Sequence, residues 1–400
     1  MKFSILLPTR DRLDLLRLAV QSVLEQDYRE WEIVVADNAS ATDVAGYVAG
    51  LRDSRVKYVR SDVSLPVTDN WNRSLEHSSG DYIVMLGDDD CLMRGCLRTI
   101  RALLDEFGGP ELLYTEAVQY AYPGVIPGRA SPFIQFGYCE FMRGASRPFL
   151  LERGEALRMV RKSLRFEIGF GYNMQHSFVS RALVDKLRPK GPFFQSPYPD
   201  YYATNAAFLA AERVLVSPWP LVAIGISPKS FGWYYFNQRE NEGVEFLKNV
   251  ADPDLAARVK PVTLPGSNMN TSWLLAMEAL RRNFGSDMPI AISYRRYRFM
   301  QFRVLLRSSA SLRGFLQSVW RYGDAPEIAF WSLFAVLVYV LSLASKRGWP
   351  RIPERVLNWI HISHPSFDYR IREVPYQDIL ALQRREDPIA LAQHCRPAAS

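Results

Sequence analysis

The sequence predicts an α/β fold in which a mostly parallel sheet is flanked by helices, and a C-terminal helical region of different character. Short, almost continuously apolar segments alternate with helical periodicity through the first 115 residues, a pattern typical of parallel strands covered on both faces. Several of these apolar segments end in polar residues. From about residue 227 the alternation stops, and a basic stretch followed by a long apolar run replaces it.

The individual elements have local signals. Apolar residues from Leu16 to Leu24 recur at helical spacing and predict the first helix. Ser180 is a predicted N-cap, because its hydroxyl can accept from a free N–H group of a helix start. Residues 121–150 lack periodicity and predict an irregular insertion. Strands are predicted at 3–8, 31–36, 56–59, 82–86, 174–179, 213–217 and 221–226, and further helices at 69–77, 95–107, 181–187 and 201–212.

Composition and cysteine use predict a folded, cytoplasmic protein. A hydrophobic fraction of 48% and a charged fraction of 23% are those of a globular chain. The four cysteines show no paired spacing, which suits a reducing compartment and argues against structural zinc. The apolar run at the N-terminus is too short for a signal peptide.

The net charge of +7 is concentrated in one stretch. Seven arginines and no acidic residue lie between Tyr294 and Arg321, interleaved with aromatic and aliphatic residues. This pattern favours an anionic membrane surface as the partner. Nucleic acid is the competing partner, but the apolar run that follows favours lipid. We therefore expect contact with a membrane surface through residues 294–345 and no nucleic acid.

The apolar run itself leaves three alternatives open. Residues 328–345 contain 18 residues without a charge, which is the lower limit for a helix that spans a bilayer. The run could span, lie in the plane of the membrane, or form a buried helix of a soluble protein. Arginines flank it on both sides, so the charge pattern gives no orientation.

Three polar clusters follow predicted strands of the N-terminal half. They are residues 9–12 (TRDR), 37–38 (DN) and 88–90 (DDD). Ligands of open α/β sheets bind outside the carboxyl ends of the strands, so these clusters should converge on one edge. The sequence has neither GxGxxG nor GxxxxGK[ST], one of which a dinucleotide fold or a P-loop would need. Carboxylates that bind Mg²⁺ or Mn²⁺ shared with a diphosphate would hold phosphate instead.

Five segments in this order resemble the GT-A fold glycosyltransferases, specifically the inverting family 2. They are FSILLPTRDR, IVVADNAS, NWNRSLEHSSGDYIVMLGDDD, HSFVSRALVDKL and YPDYYATNAAFLA. The resemblance covers about residues 1–226 and implies a Rossmann-like catalytic domain with a nucleotide-binding half (1–115) and an acceptor half (116–226). A connecting region (227–293) and a basic, apolar helical region that associates with a membrane (294–400) would follow.

The resemblance also implies roles for single residues. In that family a DxD pair binds Mn²⁺ or Mg²⁺ and contacts the ribose, which matches Asp88 and Asp90; the run of three leaves the share of Asp89 open. Asp37 matches the aspartate that contacts the base, and Asp200 matches the catalytic base. Gly87 replaces the first aspartate that many members carry. The predicted nucleotide-binding set is Pro8, Thr9, Arg12, Asp37, Asn72, Asp88 and Asp89, and the predicted metal ligands are Asp90 and Asp88.

The expected reaction is a metal-dependent, inverting transfer of sugar from a nucleotide-diphosphate donor, with UDP as the default. Its acceptor would be a lipid-linked sugar or a polysaccharide at the cytoplasmic face of a membrane. The chemistry needs a cation at the leaving diphosphate and a carboxylate that takes the proton of the acceptor hydroxyl. Two rival hypotheses are a catalytically inactive membrane scaffold with this fold and a sugar-nucleotide nucleotidyltransferase. The second normally needs a glycine-rich loop after the first strand, where PTRDRLD has no glycine.

Overall fold

The computed structural model describes residues 1–125, 129–136, 139–230, 233–234, 253–309, 311–344 and 371–394. Eleven strands of this part of the chain join in one sheet. They are β1 Phe3–Thr9, β2 Trp31–Asp37, β3 Val56–Arg60, β4 Tyr82–Met85, β5 Cys91–Leu92, β6 Leu112–Ala121, β7 Phe133–Phe136, β8 Phe149–Leu151, β9 Ser177–Ser180, β10 Val214–Ile226 and β11 Arg372–Glu373. The main order is β11-β7-β6-β9-β4-β1-β2-β3, and β10 pairs with β5, β6 and β8.

Helices pack against the sheet, and further helices follow later in the chain. The helices of the first 226 residues are α1 Leu13–Leu24, α2 Val44–Leu51, α3 Val67–Glu76, α4 Cys96–Glu106, α5 Arg153–Leu164, α6 Arg181–Leu187 and α7 Pro199–Ala210. The later ones are α8 Pro253–Val259, α9 Asn268–Phe284, α10 Tyr294–Ser308, α11 Leu312–Tyr322, α12 Ala325–Ala344, α13 Ile379–Arg385 and α14 Pro388–His394.

The first half of the sheet is parallel, as predicted. Strand β1 lies between β2 and β4, and β3 follows β2, with all three pairs parallel. The register sets Thr9 opposite Asp37 at the carboxyl end of the sheet. Because both strands end there together, the first two predicted polar clusters lie side by side.

The second half makes the sheet mixed, so the prediction of a mostly parallel sheet holds only for the first half. Strand β9 runs antiparallel to both β4 and β6, and β7 runs antiparallel to β6. The expected strand at 174–179 is shorter, because residues 174–176 form a 3-10 turn before it. The predicted cap is confirmed: the Ser180 hydroxyl accepts from the Leu183 N–H at 3.1 Å.

Strand β10 corrects a second prediction. The expected strands 213–217 and 221–226 are one strand, Val214–Ile226, paired in parallel with β6. Prolines 218 and 220 suggest a break because proline lacks an N–H donor. The pairing instead shifts register on either side of Pro220, and such bulges are where sheets tolerate proline. The supposed irregular insertion at 121–150 contains strands β7 and β8.

The apolar core has two layers, one on each face of the sheet. Alternate residues of β1 face opposite layers: Ile5 and Leu7 pack with α1, α2 and α4, whereas Leu6 packs with α5, α6, α7 and α9. Side chains alternate across a strand with a period of two. The continuous apolar run of β1 thus follows from burial on both faces, since all three residues are fully buried.

Helices α10, α11 and α12 form a small core of their own. Trp331 of α12 packs against Phe299 and Phe302 of α10 and Phe315 of α11, with ring centroids 4.6, 5.9 and 5.9 Å apart. Within the ranges described above, none of the helices combines the length and the apolar character needed to cross a membrane. Residues 345–370 of the predicted C-terminal region lie outside the described residues, as do 231–232 and 235–252 of the predicted connecting region.

The last described segment, residues 371–394, returns to the N-terminal domain. Strand β11 pairs with β7, and Ile379 and Leu382 of α13 join an apolar cluster with Leu15 of α1 and Met93. The domain division from the sequence remains a prediction. The structure places this segment against strand β7 and helix α1.

We predict that Glu32→Gln lowers the free energy of unfolding by about 1–3 kcal/mol, the range for leaving buried polar groups unpaired. Glu32 is 1% exposed, and it accepts from Lys2 and Lys57 at 2.6 and 2.8 Å and from Ser4 at 2.7 Å. An amide can replace only part of this set. Chemical denaturation of both proteins measures the difference.

Glu30→Gln is the matched control, because Glu30 is exposed and adjacent; it should change stability little. Burial alone would raise the pKa of Glu32, but the two lysines and Ser79 hold it well below the usual range. The contribution of Glu32 is therefore complete above the ordinary glutamate pKa and is lost as the pH falls below it. A cost for Glu32→Gln that is unchanged at acidic pH would contradict this account.

Candidate active site

The predicted polar clusters meet at the carboxyl edge of the parallel strands. The Thr9 hydroxyl donates to Asp88 Oδ2 at 2.8 Å, and the Arg12 guanidinium lies 3.0 Å from Asp88 Oδ1. Thr9 ends β1, and Asp88 follows β4, the strand beside it. Parallel pairing thus brings together residues 79 positions apart. Pro8, also predicted for this site, is the half-buried residue before Thr9.

Both carboxylate oxygens of Asp90 accept hydrogen bonds from other parts of the chain. Its Oδ2 accepts from the Gly87 N–H at 2.7 Å and from Gln175 Nε2 at 2.6 Å. Its Oδ1 accepts from the Gly225 N–H at 2.9 Å. These donors come from the same turn, from the segment before β9 and from β10. Asp90 therefore ties three parts of the chain together at this edge.

Asp89 has a less complete set of partners. Its Oδ2 accepts from the Ser227 hydroxyl at 2.8 Å, just beyond the end of β10. Burial raises the pKa of Asp89, and the neighbouring Asp88 raises it further while Arg12 opposes both. Burial likewise raises the pKa of Asp90, and the charge of Asp89 adds to it. Ionisation of all three aspartates of the acidic turn, residues 87–90, would therefore place more negative charge there than Arg12 can balance.

The donor set of the acidic turn suits a hard divalent cation, which prefers carboxylate oxygens. The described residues contain no group of three His, Cys, Asp or Glu side chains arranged to hold a metal ion. Asp88 and Asp89 are the better candidate ligands, because Asp90 already accepts from three N–H groups. Direct binding of a metal ion by Asp90 stays a prediction. The hydrogen bonds of Asp90 indicate a structural role for this residue.

Asp37 is fully buried at the end of β2. Its Oδ1 accepts from the Ser40 N–H at 2.9 Å, and its Oδ2 accepts from the Tyr58 hydroxyl at 2.7 Å and from Arg60 at 2.8 Å. Burial would raise the pKa of Asp37, but these hydrogen bonds outweigh burial and hold it below the usual range. The carboxylate of Asp37 is thus ionised, and its orientation is fixed. The predicted contact with a nucleotide base would need both, because an ionised carboxylate accepts hydrogen bonds from donor groups.

Asn72 lies apart from this cluster. Its amide exchanges two hydrogen bonds with the backbone of Phe194, at 2.9 and 3.0 Å. Within the described part of the chain, neither of these two hydrogen bonds reaches the acidic turn. Asn72 therefore fixes the loop before α7, and its predicted contact with nucleotide remains untested.

Asp200 lies in the first turn of α7, and its role as base stays a prediction. Its Oδ1 accepts from the Met174 N–H at 2.8 Å. Burial raises the pKa of Asp200 to about 7, so the carboxyl can exchange a proton near neutral pH. Met174 and Gln175 belong to one 3-10 turn, Met174–His176. This turn joins Asp200 on one side to Asp90 on the other.

Sequence reasoning did not identify Gln175, Ser227 or Gly225 as site residues. Gln175 and Ser227 reach the turn from positions 85 and 138 residues away, and nothing local marks such contacts. Gly225 had a usable signal, because a lone glycine inside a strand often marks close approach of another backbone. The neighbouring His176 is a buried residue whose Nδ1 lies 2.9 Å from the Thr115 carbonyl oxygen.

Part of the sequence matches a known protein family. Residues 4–109 match the family model described as glycosyl transferase family 2. A GalNAc(5)-diNAcBac-PP-undecaprenol beta-1,3-glucosyltransferase of Campylobacter jejuni is 34% identical over 108 residues, which are 26% of this chain and 35% of that protein. A UDP-Glc:alpha-D-GlcNAc-diphosphoundecaprenol beta-1,3-glucosyltransferase of Escherichia coli is 30% identical over 87 residues, 22% of this chain and 34% of that protein.

The matched region thus spans about a third of the length of these two curated relatives. Among solved structures, residues 1–349 of TarS from S. aureus, crystallised with UDP-GlcNAc, align over 87% of this chain and 93% of that one. The identity is 16% and the TM-score is 0.46.

We predict that Gly225→Ala destabilises the fold by at least about 2 kcal/mol, as overpacking of a core does. A Cβ at this position would lie 1.9 Å from the Asp89 carbonyl oxygen. The acidic turn or β10 must then move apart, and the bond from the Gly225 N–H to Asp90 would be strained. Thermal unfolding measures the loss.

Gly50→Ala is the control, because nothing lies within 4 Å of a Cβ there and alanine is the better helix former. It should leave stability unchanged or slightly higher. Equal stability of the Gly225→Ala and Gly50→Ala proteins would show that the acidic turn and β10 are not in close contact.

Proposed function

We propose that this chain, whose residues 4–109 match the model of glycosyl transferase family 2, transfers a sugar from a nucleotide-diphosphate donor by a metal-dependent, inverting displacement. The main support for this proposal is that Thr9 and Arg12 both contact Asp88 at the carboxyl edge of the sheet. The Met174–His176 turn connects this edge to a second carboxyl, that of Asp200. Donor and acceptor chemistry need two such separate acidic centres.

On the donor side, Asp88 and Asp89 would hold Mn²⁺ or Mg²⁺. Such an ion neutralises the charge that develops on a leaving diphosphate. Thr9 and Arg12 fix the orientation of Asp88 before any donor binds. Asp90 keeps the turn in place through its three N–H donors, and Asp37 is oriented at the neighbouring strand end for a nucleotide.

On the acceptor side, Asp200 would act as the general base. A base works best when its pKa lies near the operating pH, and burial raises that of Asp200 to about 7. The attacking hydroxyl gives its proton to Asp200 while its oxygen bonds to the anomeric carbon and the diphosphate leaves. One base without a separate nucleophile gives a single displacement, so the configuration inverts.

The names of the relatives support an acceptor carried on a lipid. The Campylobacter jejuni protein is named for an undecaprenol-linked substrate, and the Escherichia coli protein for a diphosphoundecaprenol and for UDP-glucose. We therefore propose a lipid-linked sugar or a growing polysaccharide as acceptor, a UDP-sugar as donor, and action at the cytoplasmic face of a membrane. The arginine-rich helices α10 and α11 suit such a surface.

The first test is calorimetric titration with UDP, GDP and dTDP, each with and without Mn²⁺. We expect one of them to bind in a metal-dependent way, and Asp89→Asn to weaken this binding at least about tenfold, a loss of about 1.4 kcal/mol. The reason is that an amide is a neutral and weaker ligand for a hard cation.

Asp185→Asn is the matched control, since Asp185 is exposed on α6 and distant from the acidic turn; it should bind like the wild type. Equal binding with and without Mn²⁺ would refute metal dependence. Failure of all three nucleotides would favour the inactive scaffold.

A second test concerns Asp200. Asp200→Asn should lower the rate of sugar transfer about 10²–10⁴-fold, the range for loss of a general base, and leave nucleotide binding intact. In the wild type, kcat/KM should rise with pH up to about 7 and then level off, because the base must be unprotonated and burial raises the pKa of Asp200 to about 7. Initial rates across pH check both points.

Stability gives an independent control. The folded protein keeps a proton on Asp200 that the unfolded chain releases at lower pH, so burial of Asp200 costs stability as the pH rises from about 4 to about 7. Asp200→Asn should therefore unfold at a higher temperature than the wild type above neutral pH. Full activity of this variant would remove Asp200 from the mechanism.

A further inference from the structure

Helix α12 carries an exposed apolar stripe on one face. The exposed fractions of its side chains run from 45% for Phe330 to 75% for Leu333. At 3.6 residues per turn, the members span an arc of about 120°. The stripe consists of Phe330, Leu333, Val336, Leu337 and Val340. A contiguous apolar surface on a folded protein usually marks an interaction site.

The opposite face of α12 is committed to the protein. Trp331 is 1% exposed and Ala335 is fully buried, and both belong to the core shared with α10 and α11. At the start of the helix, Arg298 makes a two-pronged ion pair with Glu327, at 2.8 and 2.6 Å. The helix is thus held against α10, and among its described side chains those of the outer face are available to a partner.

The helix that packs against α12, α11, exposes basic and aromatic side chains of its own. Trp320 of α11 is 68% exposed, and Arg313 and Arg321 on the same helix are exposed as well. The Arg321 guanidinium lies over the Tyr322 ring, 5.3 Å from its centroid. No acidic residue occurs between Tyr294 and Arg321. Apolar and aromatic side chains beside arginines match a bilayer interface, with acyl chains below and anionic headgroups above.

We propose that the outer face of α12, together with Trp320 and the exposed arginines of α11, docks in the plane of an anionic lipid bilayer. This inference rests on the proposed function, which places the acceptor in a membrane. In-plane docking leaves the packing of Trp331 and Arg298 intact, whereas a spanning helix would have to abandon it. A second copy of the chain is the poorer partner, because it would bring arginines against arginines.

The test uses the full chain without nucleotide and vesicles of phosphatidylcholine with or without an equal part of phosphatidylglycerol. We expect sedimentation with the anionic vesicles, less at high salt, and Leu333→Glu/Leu337→Glu to weaken it by about tenfold or more, since acidic groups oppose insertion. Arg313→Gln/Arg321→Gln should remove the preference for phosphatidylglycerol. Leu150→Glu/Ile389→Glu, at two exposed apolar positions elsewhere, should sediment like the wild type.

A second readout places a residue in the lipid. Brominated lipid should quench tryptophan fluorescence in the wild type and less in Trp320→Phe. No sedimentation, equal sedimentation of all variants, or a concentration-dependent dimer that the Leu333→Glu/Leu337→Glu change dissolves would each overturn the proposal. Nucleotide titration of these variants separates the two claims, because loss of docking leaves binding at the acidic turn intact.

Discussion

Mutual repulsion of three adjacent carboxylates is the constraint around which the candidate site is built. Two unit charges 4 Å apart repel by about 1 kcal/mol in water and by several times more near a protein interior. The fold compensates the charge of each carboxylate with different partners. Asp88 pairs with Arg12, Asp90 accepts three N–H groups, and Asp89 receives one hydroxyl. Among the three carboxylates, Asp89 therefore has the least complete compensation.

The hydrogen bonds of Asp90 explain why distant segments have their present positions. Strand β10 must bring the Gly225 N–H within reach of Asp90, so it passes the turn at a distance that only glycine allows. The Met174–His176 turn must bring in Gln175, and the same turn supplies the N–H that Asp200 accepts. Asp90 and Asp200 are thus linked through one short segment of backbone.

The parallel half of the fold was predictable because its signals are local. Strands β1, β2 and β4 are buried, largely apolar runs that lead into polar residues, and their place follows from the rule for parallel sheets. The mixed half was not predictable from local signals, because strands such as β6 and β10 pair although they lie far apart in the sequence. In addition, Pro220 suggests the end of a strand where the structure has only a shift of register. In the site, Asp88, Thr9 and Arg12 came from motif spacing. The roles of Gln175 and Ser227 depend on tertiary contacts that no local pattern encodes.

The return of residues 371–394 to the N-terminal domain has a consequence for the order of folding. Gln383 donates to the Ser22 carbonyl, a contact between residues 361 positions apart. Closing a loop of that length costs on the order of 5 kcal/mol of chain entropy, which the apolar contacts of Ile379 and Leu382 must offset. During synthesis on a ribosome, α1 and β5 are made long before α13 exists. The nascent chain therefore carries an uncovered apolar patch on this side, including Leu15 and Met93, until α13 has been synthesised.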